Sequence, residues 1–396
     1  MTHALGWLLA GNAAGLYVAL LLVAPGWQIQ PWTYGRWVPV HLNVQLYGWT
    51  ALPLVAWLLA LYEVDRGKAA AWAPAAVWTW TAALAAGTLH WLGGTTGGKI
   101  FLDWKDGALW AFILALSFLW IVLTVSWKQR AAGWTRWKRN LSLGGLAVLA
   151  LVPPAIILTS SPGTYPPVDR LTGGPTGSSL LGSSLLVVGL MLLLPRVAAD
   201  HGKGKAGWGT WGYFIACWIF FAVAETTGGT HFDWWQNLSL LLMPPWAWLL
   251  WRDWSGFAWP DGTRVWRIAM FGWWTALVLT GYLMYFPWIL DHIKFTQGLV
   301  AHSHLAMAGF TTSFCALLAV LLTGRKIGGK WTVTLWHMAA AVMLTTLAFM
   351  GWKEGNDPSW MLIQPAWREV GLILRCACGV VMFGVSSVWL YQWNKP

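Results

Sequence analysis

His302 and His304 stand two residues apart in the apolar run "FTQGLVAHSHLAMAGF", and a third histidine, His41, opens "HLNVQLYGW". An imidazole is costly to bury without a partner, so histidines in such runs imply something for the rings to hold. On a helix, two residues span about 200° of rotation, which points His302 and His304 to opposite faces. They cannot chelate one metal together. Each can instead ligate a separate planar cofactor, one on either side of the helix, with His41 closing a second axial position. Haem suits that chemistry, because its apolar macrocycle partitions into a bundle core and its iron takes neutral imidazole. The plainer alternative is three histidines hydrogen-bonded to neighbouring helices or water. A weaker pairing lies in "VAETTGGTHFDWWQN", where Glu225 and His231 could make an N,O site for iron. Against it stand a Glu satisfied by nearby threonines or water at a helix end, and a His in an outer loop.

The elements that must carry these residues follow from composition. The chain has 396 residues, 57% hydrophobic and 10% charged, which is too apolar for a soluble domain of that length. Runs able to cross about 30 Å of hydrocarbon, roughly 20 residues each, are centred near residues 15, 50, 83, 117, 151, 188, 219, 243, 278, 311, 342 and 380. The expected fold is an all-α polytopic transmembrane bundle of about 12 helices. A β-barrel would show alternation over about ten residues instead. The net charge of +11 is a topology signal and not a nucleic-acid footprint: with loops on alternating sides, those after the even-numbered spans and the C-terminus hold 17 of the 25 Lys and Arg. Both termini are then expected in the cytoplasm. Most of the 37 Trp fit interfacial belts. No cleavable signal is expected, since the first run lacks a basic leader.

In that topology His41, His302 and His304 lie about one turn inside the outer face. His90, His231 and His292 share the outer layer, whereas His3, His201 and His337 lie away from it. Cys217, Cys315, Cys376 and Cys378 read as buried, inert thiols. No internal repeat is evident, and one domain over 1–396 is the economical organisation.

The run of spans, "HLNVQLYGW" near the outer end of the second, "FTQGLVAHSHLAMAGF" in the tenth and "LILRCACGVVMF" in the last resemble subunit I of the haem-copper oxidase superfamily. The nearest branch contains the cbb-type cytochrome oxidases and nitric oxide reductases. The resemblance implies that His41 and His304 are the axial ligands of a low-spin haem and that His302 is the proximal ligand of a high-spin haem. Haem b, in two copies, is the implied cofactor, and a prokaryotic inner membrane the implied location. The family's second metal, copper or non-haem iron, uses one His in span 6 and a His-His pair in span 7. Here span 6 reads "RLTGGPTGSSLLGSSLL", with Pro175 and Thr176 but no His, and the end of span 7 offers only His231. One imidazole is a poor site for copper or iron, so copper is not expected. Phe221 falls nearest the position of the family's span 7 tyrosine. Lys99, Lys105, Lys294, Lys353 and Arg368 are the cations available to haem propionates at the outer face. The Gly-rich "GGTTGGKIFLDWKDG" lacks Walker spacing and is expected to be a close-packed loop covering a haem edge.

Three functions compete. The first is an electron-transfer subunit of a hetero-oligomeric respiratory complex, passing electrons between a periplasmic partner, such as a cytochrome c, and quinone or another subunit. The second is a divergent nitric oxide or oxygen reductase with an altered binuclear site. The third, a scaffold without redox chemistry, is disfavoured by all three histidines. No CxxCH occurs, so any covalent haem c must belong to a partner.

Overall fold

The computed structural model describes residues 1–99, 101–164, 166–168, 181–198, 201–227 and 234–395. It is 82% helix. Among the described residues seven helices are long and apolar enough to cross a membrane: α1 (Thr2–Val23), α2 (Tyr34–Leu61), α4 (Asp106–Gly133), α5 (Arg136–Ser160), α12 (Gln297–Thr323), α13 (Lys330–Asn356) and α14 (Ala366–Asn394). The further α-helices among the described residues are α3 (Ala73–Leu92), α6 (Gly182–Ala198), α7 (Trp208–Thr227), α8 (Trp234–Leu240), α9 (Pro245–Trp254), α10 (Arg264–Met284) and α11 (Pro287–Ile293). Among the described residues the strands are β1 (His201–Gly202) and β2 (Phe257–Ala258), paired antiparallel. Each expected span centre lies in a helix except residue 243. That position falls between α8 and α9, where Pro244 and Pro245 remove two successive backbone donors.

The described residues fall into two compact units, one holding 1–168 and 383–395, the other 181–382. In the first unit, α3 and α4 pack through aromatic rings, with Trp104 stacked on Phe112 at 4.2 Å and Trp91 edge-on to Trp104 at 5.2 Å. In the second, the most apolar window of α12 is 72% buried, which makes α12 its central helix. A bidentate pair ties α6 to α9: Arg196 donates through Nη1 and Nη2 to Asp253, at 2.7 and 3.0 Å. Asp253 also accepts from the Ala206 N–H at 2.8 Å, so this buried carboxylate is well satisfied.

Two helices share an unusual feature. Helix α2 is α-helical over Tyr34–Asn43, π-helical over Val44–Thr50 and α-helical again from Ala51. Helix α12 is α-helical over Gln297–His304, π-helical over Leu305–Thr311 and α-helical from Thr312. A π turn inserts one residue into the helical ladder, which rotates the remainder of the helix and frees space beside the turn. These two helices carry the three histidines.

Candidate functional site: the histidine-bearing helices

In the first unit α1 supplies the surface that His41 needs. The sequence "GNAAG" puts Gly11 and Gly15 one turn apart. A Cβ built on Gly15 would lie 2.5 Å from His41 Cε1, and one on Gly11 would lie 2.7 Å from Gln45 Nε2. Only glycine lets α2 approach this closely. The Nδ1 of His41 then lies 2.8 Å from the Gly11 carbonyl oxygen. A carbonyl only accepts, so Nδ1 carries the proton, and in the neutral ring Nε2 carries the lone pair. Gln45 donates to Asn12 Oδ1 at 2.8 Å, and Asn12 donates to Ser386 at 3.1 Å, which fixes the helix pair from a second side.

In the second unit the same chemistry appears twice on α12. His304 Nδ1 donates to the Val300 carbonyl one turn back, at 2.8 Å. His302 Nδ1 lies 3.3 Å from Thr280 Oγ1 on α10, and that hydroxyl already donates to the Ala276 carbonyl at 2.7 Å. Its lone pair therefore accepts from His302, leaving Nε2 as the basic nitrogen there too. Metal-ligating histidines are oriented in this way, with the ring N–H given to an oxygen acceptor. His337 is the counter-example: Trp273 Nε1 donates to its Nδ1 at 3.1 Å, which puts the proton on Nε2.

The structure also shows a repeat that the sequence conceals. Trp7 and Gly15 on α1 have the same spacing as Trp273 and Gly281 on α10. Gly15 faces His41, and Gly281 faces His302, whose Cε1 would be 3.4 Å from an added Cβ. The π turn begins three residues after His41 and three after His302. Within it, Gly48 packs on Trp7 and Gly309 on Trp273, with an added Cβ meeting the Trp at 2.5 and 2.8 Å. The carbonyl just before each of these glycines accepts an indole N–H from the next helix: Trp80 to Tyr47 at 2.8 Å, Trp336 to Ala308 at 3.0 Å. His302 is thus the local counterpart of His41. His304 stands where the first unit has Asn43, which likewise bonds one turn back, to Pro39 at 2.8 Å. Few identities survive between the two segments, so the repeat was illegible without the contacts.

The other sequence candidates fare differently. Glu225 is exposed near the end of α7. His231, Pro175 and Thr176 lie outside the described residues. Lys99 is buried, its ammonium capping the last turn of α5 through the Thr159 and Ser161 carbonyls. Lys294 pairs with Asp291 at 2.8 Å, and Arg368 with the buried Glu354 at 2.9 Å. Lys105 and Lys353 are exposed. His90 bonds the Ala86 carbonyl at 2.9 Å and His292 the Trp352 carbonyl at 3.1 Å. Among the described residues no group of three or more His, Cys, Asp or Glu is placed to hold a metal ion.

The Gly-rich loop closes on a carboxylate that the sequence alone did not single out. Asp103 is buried and accepts from the backbone N–H groups of Gly97 and Lys99 at 3.0 and 3.2 Å. Burial pushes its carboxyl above the usual carboxylate range, partly offset by those N–H groups and by the Asn43 side chain. Trp91 donates to the Asp103 carbonyl at 2.9 Å, and Tyr47 to that of Phe101 at 2.7 Å. The loop is therefore stitched onto the His41 helix. Glu354, Arg375 and Asp103 are charged groups buried beside the histidine-bearing helices to which the sequence reading gave no role. Their signal was a charge inside or beside an apolar run. Compared with models of known protein families and with curated proteins, the chain matches none.

Proposed function

We propose that this protein is a haem-b-binding integral membrane subunit of a respiratory redox complex. It passes electrons between a periplasmic cytochrome c-like partner and quinone or another subunit. The observation that carries the reading is the shared state of His41, His302 and His304: each gives its Nδ1 proton to an oxygen acceptor and keeps a basic Nε2. That is the donor set a haem iron takes. Following the resemblance to haem-copper oxidase subunit I, His41 and His304 serve one haem and His302 another. Bound haem b supplies a one-electron iron couple. The protein's own part is to orient the rings through Gly11, Val300 and Thr280, and to keep water from them with apolar helices. The repeat supports His302 as a ligand, since it reproduces the setting of His41. The same reading takes in the twelve spans, the cytoplasmic termini and the prokaryotic inner membrane.

A second reading, a divergent nitric oxide or oxygen reductase, is favoured by one observation. His302 has its own orienting hydroxyl, Thr280, separate from the acceptor that serves His304. Rapid mixing of the purified protein with a reduced cytochrome c or a quinol separates the readings. Electron transfer gives haem reduction without consumption of gas, whereas turnover of oxygen or nitric oxide moves the assignment to a reductase. Failure of every donor to reduce the protein contradicts both.

A further inference from the structure

The first turn of α12 is held by more than its cap. Thr296 caps the helix, its hydroxyl accepting from the Gly298 N–H at 3.1 Å. Gln297 is held by both its main chain and its side chain. Its N–H donates to Glu354 Oε2 at 2.8 Å, and its Oε1 accepts from Arg375 Nη1 at 3.0 Å. Glu354 lies in the last turn of α13 with a side chain only 1% exposed, and its other oxygen accepts from Arg368 Nε at 2.9 Å. The Arg368 guanidinium lies 4.7 Å over the Trp360 ring, and the Trp360 indole donates to the Glu354 carbonyl at 3.0 Å. A Cβ on Gly351 would overlap the Gly298 backbone, so α13 meets α12 main chain to main chain.

Holding a helix end needs no buried charge, since apolar packing does so without the desolvation cost of a carboxylate and two guanidinium groups. What charge adds is direction. Hydrogen bonds to Gln297 on both its main chain and its side chain fix the rotation of the helix about its axis, which apolar contacts set only loosely. His302 and His304 come within two turns on the same rigid helix, so that rotation becomes the heading of both imidazoles. We infer that Glu354 and Arg375 are positioning residues for the two histidines, acting through Gln297. The inference rests on the haem reading of those histidines.

The test uses the full-length, haem-loaded protein and compares the parent with Glu354→Gln, which keeps shape and loses charge. Four quantities are read: haem per chain, the low-spin resonance positions, the midpoint potentials, and amide exchange over residues 298–304. The positioning role predicts unchanged haem content, displaced resonances and potentials, and exchange about tenfold faster or more, the factor expected for a lost charge-assisted hydrogen bond. Faster exchange with unshifted resonances and potentials overturns it, because the network then only stabilises the helix. No change in any quantity also overturns it. If Glu354→Gln does not fold, Gln297→Ala carries the same readouts while leaving the Glu354–Arg368 pair in place. A parent that holds no haem removes the underlying reading and the positioning role together, whereas a haem-bearing parent with an unshifted variant removes the positioning role alone.

Discussion

Which nitrogen a histidine offers is decided by the partner of the other one. His41 and His337 are both histidines in apolar helices, and sequence depth alone separates them. The structure separates them chemically: a carbonyl takes the Nδ1 proton of His41, whereas an indole N–H occupies Nδ1 of His337. For these two the tautomer depends on a neighbour from another helix, so it could not be read from the chain. Position and residue type could. The consequence is a difference between variants. His41→Ala, His302→Ala and His304→Ala are each expected to lose haem, while His337→Ala keeps the full complement. Pyridine haemochrome spectra of the purified variants, normalised to protein, check this. Equal loss from His337→Ala would contradict the assignment.

At the scale of elements, the long apolar runs made helices legible, and the π turns were not. A π turn needs a local reason to lose the ordinary ladder. Here Gly48 and Gly309 each let a Trp approach the backbone, an arrangement visible only once helices are paired. An added methyl at either glycine must displace Trp7 or Trp273. Gly48→Ala and Gly309→Ala should each lower stability by about 1–3 kcal/mol. Gly6 and Gly272, helical glycines with nothing near an added Cβ, should instead gain roughly 0.4–1 kcal/mol as alanines. Thermal melts in one detergent compare the four.

Another element-scale prediction concerns the α2–α3 connection. Glu63 accepts from Lys138, in the first turn of α5, at 2.6 Å, and that bond holds its carboxyl below the ordinary range. A lowered folded pKa means the contribution is present above the unfolded pKa and is lost as pH falls through the folded one. The pair is partly exposed, so roughly 0.2–1 kcal/mol is at stake. Melts of the parent and Glu63→Gln should differ at neutral pH and converge below about pH 4. A difference that persists in acid would show that the charge is not the cause.

At the scale of the molecule, composition alone announced a helical membrane protein, and among the described residues seven helices of sufficient length and apolarity agree with it. Finer organisation was hidden for a physical reason. The two histidine-bearing segments share a Trp-to-Gly spacing, a His-to-Gly spacing and an indole donor, while most residues between them differ, because packing constrains a few contact positions and the bilayer accepts almost any apolar residue elsewhere. The buried polar groups Asp103, Glu354 and Arg375 were each visible as a charge in the wrong place, but their partners were not.

Haem iron held by three histidines through Nε2 is the proposal on which the electron-transfer role depends. Its most direct test is the iron, copper and haem content of the purified parent protein, with a pyridine haemochrome spectrum on the same sample. The expected result is two haem b per chain, iron equal to haem, and no copper. Absence of haem would contradict the proposal outright. Copper, or iron in excess of haem, would contradict the electron-transfer reading and place a second metal in a reductase centre.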